Sequence, residues 1–375
     1  MDLLTVTGLV GVLALALHTL RGPPIRPVPG ACERLDWHLR RNLVGQSPAI
    51  GEAVSAVCAH LADNDPAKPL VISVHGPPGV GKSMLHRLMA EALFNLTEQQ
   101  HDCPGWHCPA YKVVFGMDFT EDGEEAQYSK LKGELLDHFR AFQTALVAIE
   151  EFDKASCRSL NFIRHLIVHG ASSLGRLALN RSIIILESNS GYLKLMELLR
   201  DAGDREKVDL VLAGHVLKDD LFYEAVNRSC FTHVEGNRFV NVIDLFLPFF
   251  PLRREHIGQA AGIEIAKRAR TFVREGKLQK LEWEPSVESH IAAKIFYDEE
   301  FAVEGASGLR MTVSKEITKA LRQWDPTLLL HSETAPKRNT KLKLTVSNTG
   351  EGLAVVTGES SPSLTSEPHS KTLET

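Results

Sequence analysis

Leu70-Val-Ile-Ser-Val-His-Gly76-Pro77-Pro78-Gly79-Val80-Gly81-Lys82-Ser83-Met84 decides the reading of the chain. Leu70 to Val74 is a short β-branched apolar run, as in a strand covered on both faces. Gly76 to Ser83 fits G-x-x-x-x-G-K-[ST], a loop whose backbone N–H groups turn inward around a phosphate chain. Pro77 and Pro78 stiffen its entry. Met84, Leu85, Leu88, Met89, Ala92 and Leu93 recur at helical spacing, so an amphipathic helix leaves the loop with its positive end on the same anion. Strand, loop and helix together point to ATP. Lys82 would reach the β- and γ-phosphates and Ser83 would ligate Mg²⁺, with Gly76, Pro77, Pro78, Gly79, Val80, Gly81 and Met84 forming the cradle.

Two further apolar runs end in polar residues. Ala145-Leu-Val-Ala-Ile-Glu150-Glu151-Phe-Asp153-Lys154 has the Walker B layout, with Glu-Glu where Asp-Glu is usual. The first acid, Glu150, is assigned to Mg²⁺ through water, and the second, Glu151, to the attacking water as general base. Glu150 is one methylene longer than the usual Asp, so slow hydrolysis is expected. Asp153 is an alternative acid beyond the strand end. Ser182-Ile-Ile-Ile-Leu-Glu-Ser-Asn189 is another buried strand ending in a polar residue, Asn189, which at a strand end commonly only caps a turn.

Composition narrows the rest. With 375 residues, 43% hydrophobic and 24% charged, the chain is long enough for a sizeable core and a second small domain. A net charge of −5 gives no support to nucleic-acid binding. Six cysteines are too sparse for a disulfide scaffold and decide no compartment by themselves. Leu3 to Leu20 is apolar apart from Thr5, Thr7, His18 and Thr19, and reads as a signal peptide, a signal anchor or a segment in one leaflet. Arg21 and Arg26 follow it, and the proline-rich run to Gly30 is a semi-rigid linker. His101, Cys103, His107 and Cys108 offer zinc ligands on one loop, but a disulfide or free thiols rank above zinc there. Asp118 to Glu125 is acidic and lacks an aromatic-apolar-Gly triplet. From about Ser332 the Ser/Thr-rich composition predicts disorder, with Leu353 to Thr357 as a lone apolar island. Asn95, Asn180 and Asn227 head N-x-[ST] sequons, which matter only in a secretory lumen.

Asn241-Val242-Ile-Asp244-Leu-Phe-Leu-Pro248-Phe249-Phe250-Pro251-Leu252, with Leu43-Val44-Gly45-Gln46 and Lys68-Pro-Leu-Val-Ile-Ser-Val-His-Gly76, resembles the torsins over roughly Leu35 to Gln323. Torsins are AAA+ ATPases of the endoplasmic reticulum and nuclear-envelope lumen, related to Clp-type unfoldases. The resemblance implies that Leu43 and Val44 pack on the adenine, that Asn189 is sensor 1, and that Arg310 in Gly308-Leu309-Arg310 is the sensor 2 cation. Three departures stand out. Ser83 replaces the torsin Asn and restores a Mg²⁺ ligand. Glu150 replaces Asp. Leu309 replaces the sensor 2 cysteine, so that redox switch is not expected. Clp-type ATPases carry an arginine finger where this chain has Val242, as torsins have an apolar residue. The resemblance therefore implies an oligomer completed in trans by a membrane-bound lumenal activator that supplies an arginine. Arg238, one turn earlier, is a weaker candidate finger.

The expected architecture is α/β: an AAA+ P-loop ATPase domain with a parallel sheet, followed by a small helical lid. The boundaries are 1–21 for the hydrophobic segment, 22–32 for the linker, 33–250 for the nucleotide domain, 251–330 for the lid and 331–375 for a disordered tail. The expected function is chaperone-like remodelling of proteins or membranes by a weak ATPase in the endoplasmic reticulum or nuclear envelope, membrane-associated through the N-terminal segment. The alternatives are an ATP-gated scaffold with little hydrolysis and a cytosolic or mitochondrial Clp-like unfoldase.

Overall fold

A computed structural model describes residues 27–94, 108–119, 124–173, 179–328 and 340–357. The chain divides into two compact units. One runs to His256 and includes Tyr297–Ser307; the other comprises Ile257–Phe296 and the residues from Gly308.

The first unit opens with helices α1 (Ala31–Asn42) and α2 (Ser47–Ala62), then alternates strand and helix. β1 (Leu70–His75) leads into α3 (Lys82–Phe94), β2 (Tyr111–Phe115) into α4 (Glu124–Ala141), and β3 (Leu146–Glu150) into α5 (Cys157–Ser173). β4 (Ile183–Ser188) is followed by α6 (Tyr192–Ala202), α7 (Leu210–Asn227), α8 (His233–Asn241) and β5 (Leu245–Pro248). The strands form one parallel sheet in the order β2-β3-β4-β1-β5. Every residue of β1, β3 and β4 is buried, as expected of central strands with helices on both faces. Ile72 lies between Ile185 of β4 and Leu245 of β5, and Ile149 lies beside Leu186. This register brings the ends of β1, β3 and β4 to the carboxyl edge of the sheet, the place where open parallel sheets bind ligands. Beneath it, Val147, Ile149, Ile163, Ile184 and Leu186 pack with Phe152, Phe231 and Phe239 in one core.

The cysteines add crosslinks to an ample hydrophobic core. Cys32–Cys58 joins α1 to α2, and Cys157–Cys230 joins the start of α5 to the turn before α8. Cys108 is disulfide-bonded as well, while Cys103 lies outside the described residues.

In the second unit, α9 (Arg254–Arg274) continues into β6 (Lys280–Trp283), α10 (Pro285–Ala292) and, after Gly308, α11 (Leu309–Trp324). The expectation of a disordered tail from residue 331 is corrected by β7 (Lys341–Val346) and β8 (Leu353–Thr357), which add a small sheet beside the helices of this unit. Both join β6 in a sheet ordered β8-β7-β6, with β6 and β7 parallel and β7 and β8 antiparallel. Leu342, Leu344 and Leu353 are buried in it. The alternation Lys-Leu-Lys-Leu is a period-two strand signal that a tail-wide composition average conceals. Among the described residues no helix is long and apolar enough to cross a membrane, and Leu3–Leu20 lies outside them.

Candidate nucleotide site

Two glycines shape the loop after β1. Gly79 has φ +72°, and a Cβ there would lie 2.1 Å from the backbone oxygen of Glu304. The Tyr297–Ser307 segment passes that close because Ala306 N–H donates to Gly79 O at 2.8 Å. Gly81 has φ +105° and faces the Leu43 side chain, which would come within 2.6 Å of a Cβ. Leu43 is therefore buried against the loop, and Val44 beside it is half-buried.

Lys82 opens α3 with its ammonium folded onto the loop. It donates to Gly76 O and Pro77 O, each at 2.9 Å, and to Asn189 Oδ1 at 2.7 Å. Burial lowers its pKa, opposed by Glu187, Asp153, Glu151 and Glu150. Lys82 and Asn189, 107 residues apart, thus share one point at the edge of the sheet. The next residue, Ser83, donates its hydroxyl to the Glu187 carboxylate at 2.9 and 3.1 Å.

Glu150 ends β3 and is buried. Its Oε1 lies 3.3 Å from His86 Nε2 and 3.5 Å from an Arg87 nitrogen. Burial alone would push its carboxyl up, but His86 and Arg87 outweigh that and hold it below the usual carboxylate range. His86 is fully buried, with Nδ1 at 2.6 Å from the Tyr111 hydroxyl and Nε2 at 3.4 Å from Glu187 Oε2. Burial raises the Tyr111 pKa strongly, so that hydroxyl keeps its proton.

Glu151 follows in the left-handed region, with φ 50° and ψ 42°. For a residue with a β-carbon this costs on the order of 1 kcal/mol. Its carbonyl starts the short turn Phe152–Lys154 by accepting from Lys154 N at 2.9 Å. Asp153 is buried in that turn, with Oδ2 3.3 Å from Lys154 Nζ. Arg228 clamps the turn by donating to Asp153 O and, at 2.8 Å, to Ala155 O. The Cys157–Cys230 bond closes the same corner.

Three side chains, two of them buried, join the segments that carry the family resemblance. Gln46 donates to Val80 O at 3.2 Å and Phe250 O at 2.8 Å, and accepts from Phe250 N at 3.0 Å. Arg205 donates to Gly45 O and, at 3.1 Å, to Pro251 O. Asp244 accepts from Val71 N at 2.9 Å and pairs with Lys68 at 2.6 Å.

The remaining sequence candidates lie elsewhere. Arg310 is exposed in the first turn of α11, in the second unit. Val242 packs half-buried on the core, and Arg238 is exposed on α8. Sequence reasoning passed over Glu187 and His86. Both left a signal: Glu187 is a lone carboxylate at the end of an apolar strand, and His86 stands three residues after Ser83, on the same helical face.

The Torsin family's sequence model matches residues 26–134. A torsin-like protein of Drosophila melanogaster is 25% identical over 301 residues, covering 79% of this chain and 83% of the fly protein. A torsin-like protein of Caenorhabditis elegans is 26% identical over 241 residues, 63% of this chain and 64% of its own length. The chain is similar to the torsins in its first part by the family model and over most of its length by these relatives. The chaperone protein ClpB of Chlamydia caviae is 25% identical over 357 residues, covering 90% of this chain but 37% of ClpB. The parallel sheet, with its phosphate loop, is the AAA+ P-loop ATPase fold.

Proposed function

We propose that this chain is a torsin-type ATPase that binds ATP with Mg²⁺ and hydrolyses it slowly, as the motor of chaperone-like remodelling of proteins or membranes. The observation that carries the reading is the 2.7 Å contact between Lys82 Nζ and Asn189 Oδ1 beside two positive-φ glycines. A cation, a polar sensor and a backbone cradle converge where a triphosphate would lie. The donor set also fits magnesium: a hydroxyl at Ser83 and a buried carboxylate at Glu150. When bound, Mg²⁺ neutralises charge that develops between the phosphates.

In this reading Lys82 holds the γ-phosphate, Asn189 orients the attacking water, and Glu151 accepts its proton. Ser83 and Glu150 hold the ion, Glu150 through water. Leu43 and Val44 receive the adenine, and Arg310 supplies the sensor 2 charge. Val242 leaves a homomeric assembly without an arginine finger, which can contribute orders of magnitude in rate. An activator with an arginine, bound to the membrane and facing the lumen, would complete the site in an oligomer. The endoplasmic reticulum or nuclear-envelope lumen is supported by the disulfides Cys32–Cys58 and Cys157–Cys230, which persist in oxidising compartments. The same bonds weigh against a cytosolic Clp-like unfoldase. The exposed Asn227 is then open to glycosylation, and the apolar N-terminal segment would supply the membrane attachment.

A second reading, an ATP-gated scaffold with little turnover, is favoured by one observation. Glu150 is already engaged by His86 and Arg87 rather than free for a water shell. Steady-state hydrolysis, alone and with a lumenal membrane cofactor, separates the two. Turnover that appears with the cofactor supports the ATPase. Tight ATP binding without turnover in either condition supports the scaffold.

A further inference from the structure

We propose that His86, Glu150 and Glu187 form a direct binding site for a transition-metal dication of the Zn²⁺ or Mn²⁺ type, filled without nucleotide. The site deepens the ATPase reading, with which it shares Glu150, but it requires no bound ATP. One ligand atom from each residue lies within 4.8 Å of the others, and all three residues are buried. They come from separate places in the chain: the second turn of α3, the end of β3 and the end of β4. The parallel register of β3 and β4 sets the two carboxylates side by side beneath the phosphate loop.

The second observation is a buried ring nitrogen aimed at both carboxylates. His86 has no solvent exposure, and its Nε2 lies 3.3 Å from Glu150 Oε1 and 3.4 Å from Glu187 Oε2. Among the described residues neither Nε2 nor Glu150 Oε1 makes a well-formed hydrogen bond. His86 Nδ1 lies 2.6 Å from the Tyr111 hydroxyl. In the tautomer whose Nδ1–H donates to that oxygen, Nε2 turns its lone pair toward two anionic groups, and a cation between them relieves the repulsion. A ring held by an outer partner on one nitrogen and facing carboxylates with the other is the arrangement of a metal-ligating histidine. Arg87, 3.5 Å from Glu150, offsets part of the negative charge but contributes no lone pair.

Ligand chemistry selects the ion. Magnesium favours oxygen donors and keeps several waters, whereas imidazole with carboxylates suits Zn²⁺ and tolerates Mn²⁺. Three protein ligands leave a position open for water or a phosphate oxygen. Ser83, which donates to Glu187, would couple occupancy of this site to the phosphate loop.

The test uses the full chain, stripped of metal and free of nucleotide, titrated with Mn²⁺ and followed by electron paramagnetic resonance. One Mn²⁺ per chain is expected, displaced by Zn²⁺ and bound at least about tenfold more tightly than Mg²⁺. Spin-echo modulation should show coupling to a histidine nitrogen. H86Q should abolish that coupling and weaken Mn²⁺ by more than about tenfold, and Y111F should weaken it by about tenfold as an outer partner. Mn²⁺ that binds only with ATP, or binds without nitrogen coupling, overturns the proposal and assigns the pocket to a proton shared by His86 and the carboxylates. The coupling is read on the unaltered protein, so a poorly folding variant does not decide the matter. A separate fluorescent ATP titration in Mg²⁺ alone, with no Mn²⁺ or Zn²⁺, keeps the two readings apart. ATP binding without nucleotide-free Mn²⁺ sinks the metal site alone, and Mn²⁺ binding without ATP binding sinks the ATPase reading alone.

Discussion

The two halves of the site are built from different material. The phosphate half is mostly main chain: positive-φ glycines, the carbonyls of Gly76 and Pro77, and one lysine with one asparagine. The metal half is side chain throughout: Glu150, Glu187, His86 and Tyr111, drawn from three strands and a helix. Backbone geometry demands particular residues at particular spacings, so the first half announces itself as a motif. Side chains that meet only through strand register leave no such spacing, and there this chain departs furthest from the usual acids. In the proposed function the first half holds the nucleotide, while the rate of hydrolysis rests on the other half.

The sharpest way to break that division is E151Q. It removes the proposed base and leaves the cradle, so cofactor-stimulated hydrolysis should fall by about a hundredfold or more while ATP affinity holds within about threefold. Single-turnover kinetics beside a binding titration would show it, and unchanged hydrolysis would remove Glu151 from its role. Next in size is the crosslink below the Walker B turn. C157S should cost about 2–4 kcal/mol of unfolding free energy, read by denaturant melting, because the bond closes a loop between residues 73 apart. Q46A should cost about 2–3 kcal/mol, since it strands the buried Phe250 N–H and the carbonyls of Val80 and Phe250. It should also weaken ATP through the loop, an effect that C157S lacks if the halves are separable.

The smallest effect is set by pH. Burial holds His75, His138 and His256 at a pKa of about 4, below the ordinary 6.5. The unfolded chain gains protons at these positions first as pH falls. The stability they lend is complete above pH 6.5 and is lost progressively toward pH 4. The melting temperature should therefore drop between pH 7 and pH 5, more in the wild type than in H138F. Equal drops would remove His138 from that set.

Much of this was legible in the sequence. The α/β class followed from apolar runs alternating with amphipathic stretches. Lys82, Ser83, Glu150 and Asn189 were named from strand ends, and the structure brings them to one edge of the sheet. What escaped was long-range. Nothing in the spacing of six cysteines says that Cys157 meets Cys230, because the pairing depends on how α5 and α8 pack. Glu187 and His86 look ordinary until β3 and β4 are set side by side. Lys341–Val346 was hidden by the composition of its surroundings, although its alternation is plain once β6 offers an edge.

The most direct measurement is an equilibrium titration of fluorescent ATP with Mg²⁺ against the full chain and K82M. Saturable binding of one nucleotide per chain, weakened at least about a hundredfold in K82M, is the expected result. Equal binding by both proteins, or none by the wild type, would contradict the assignment of Gly76–Ser83 as the phosphate cradle.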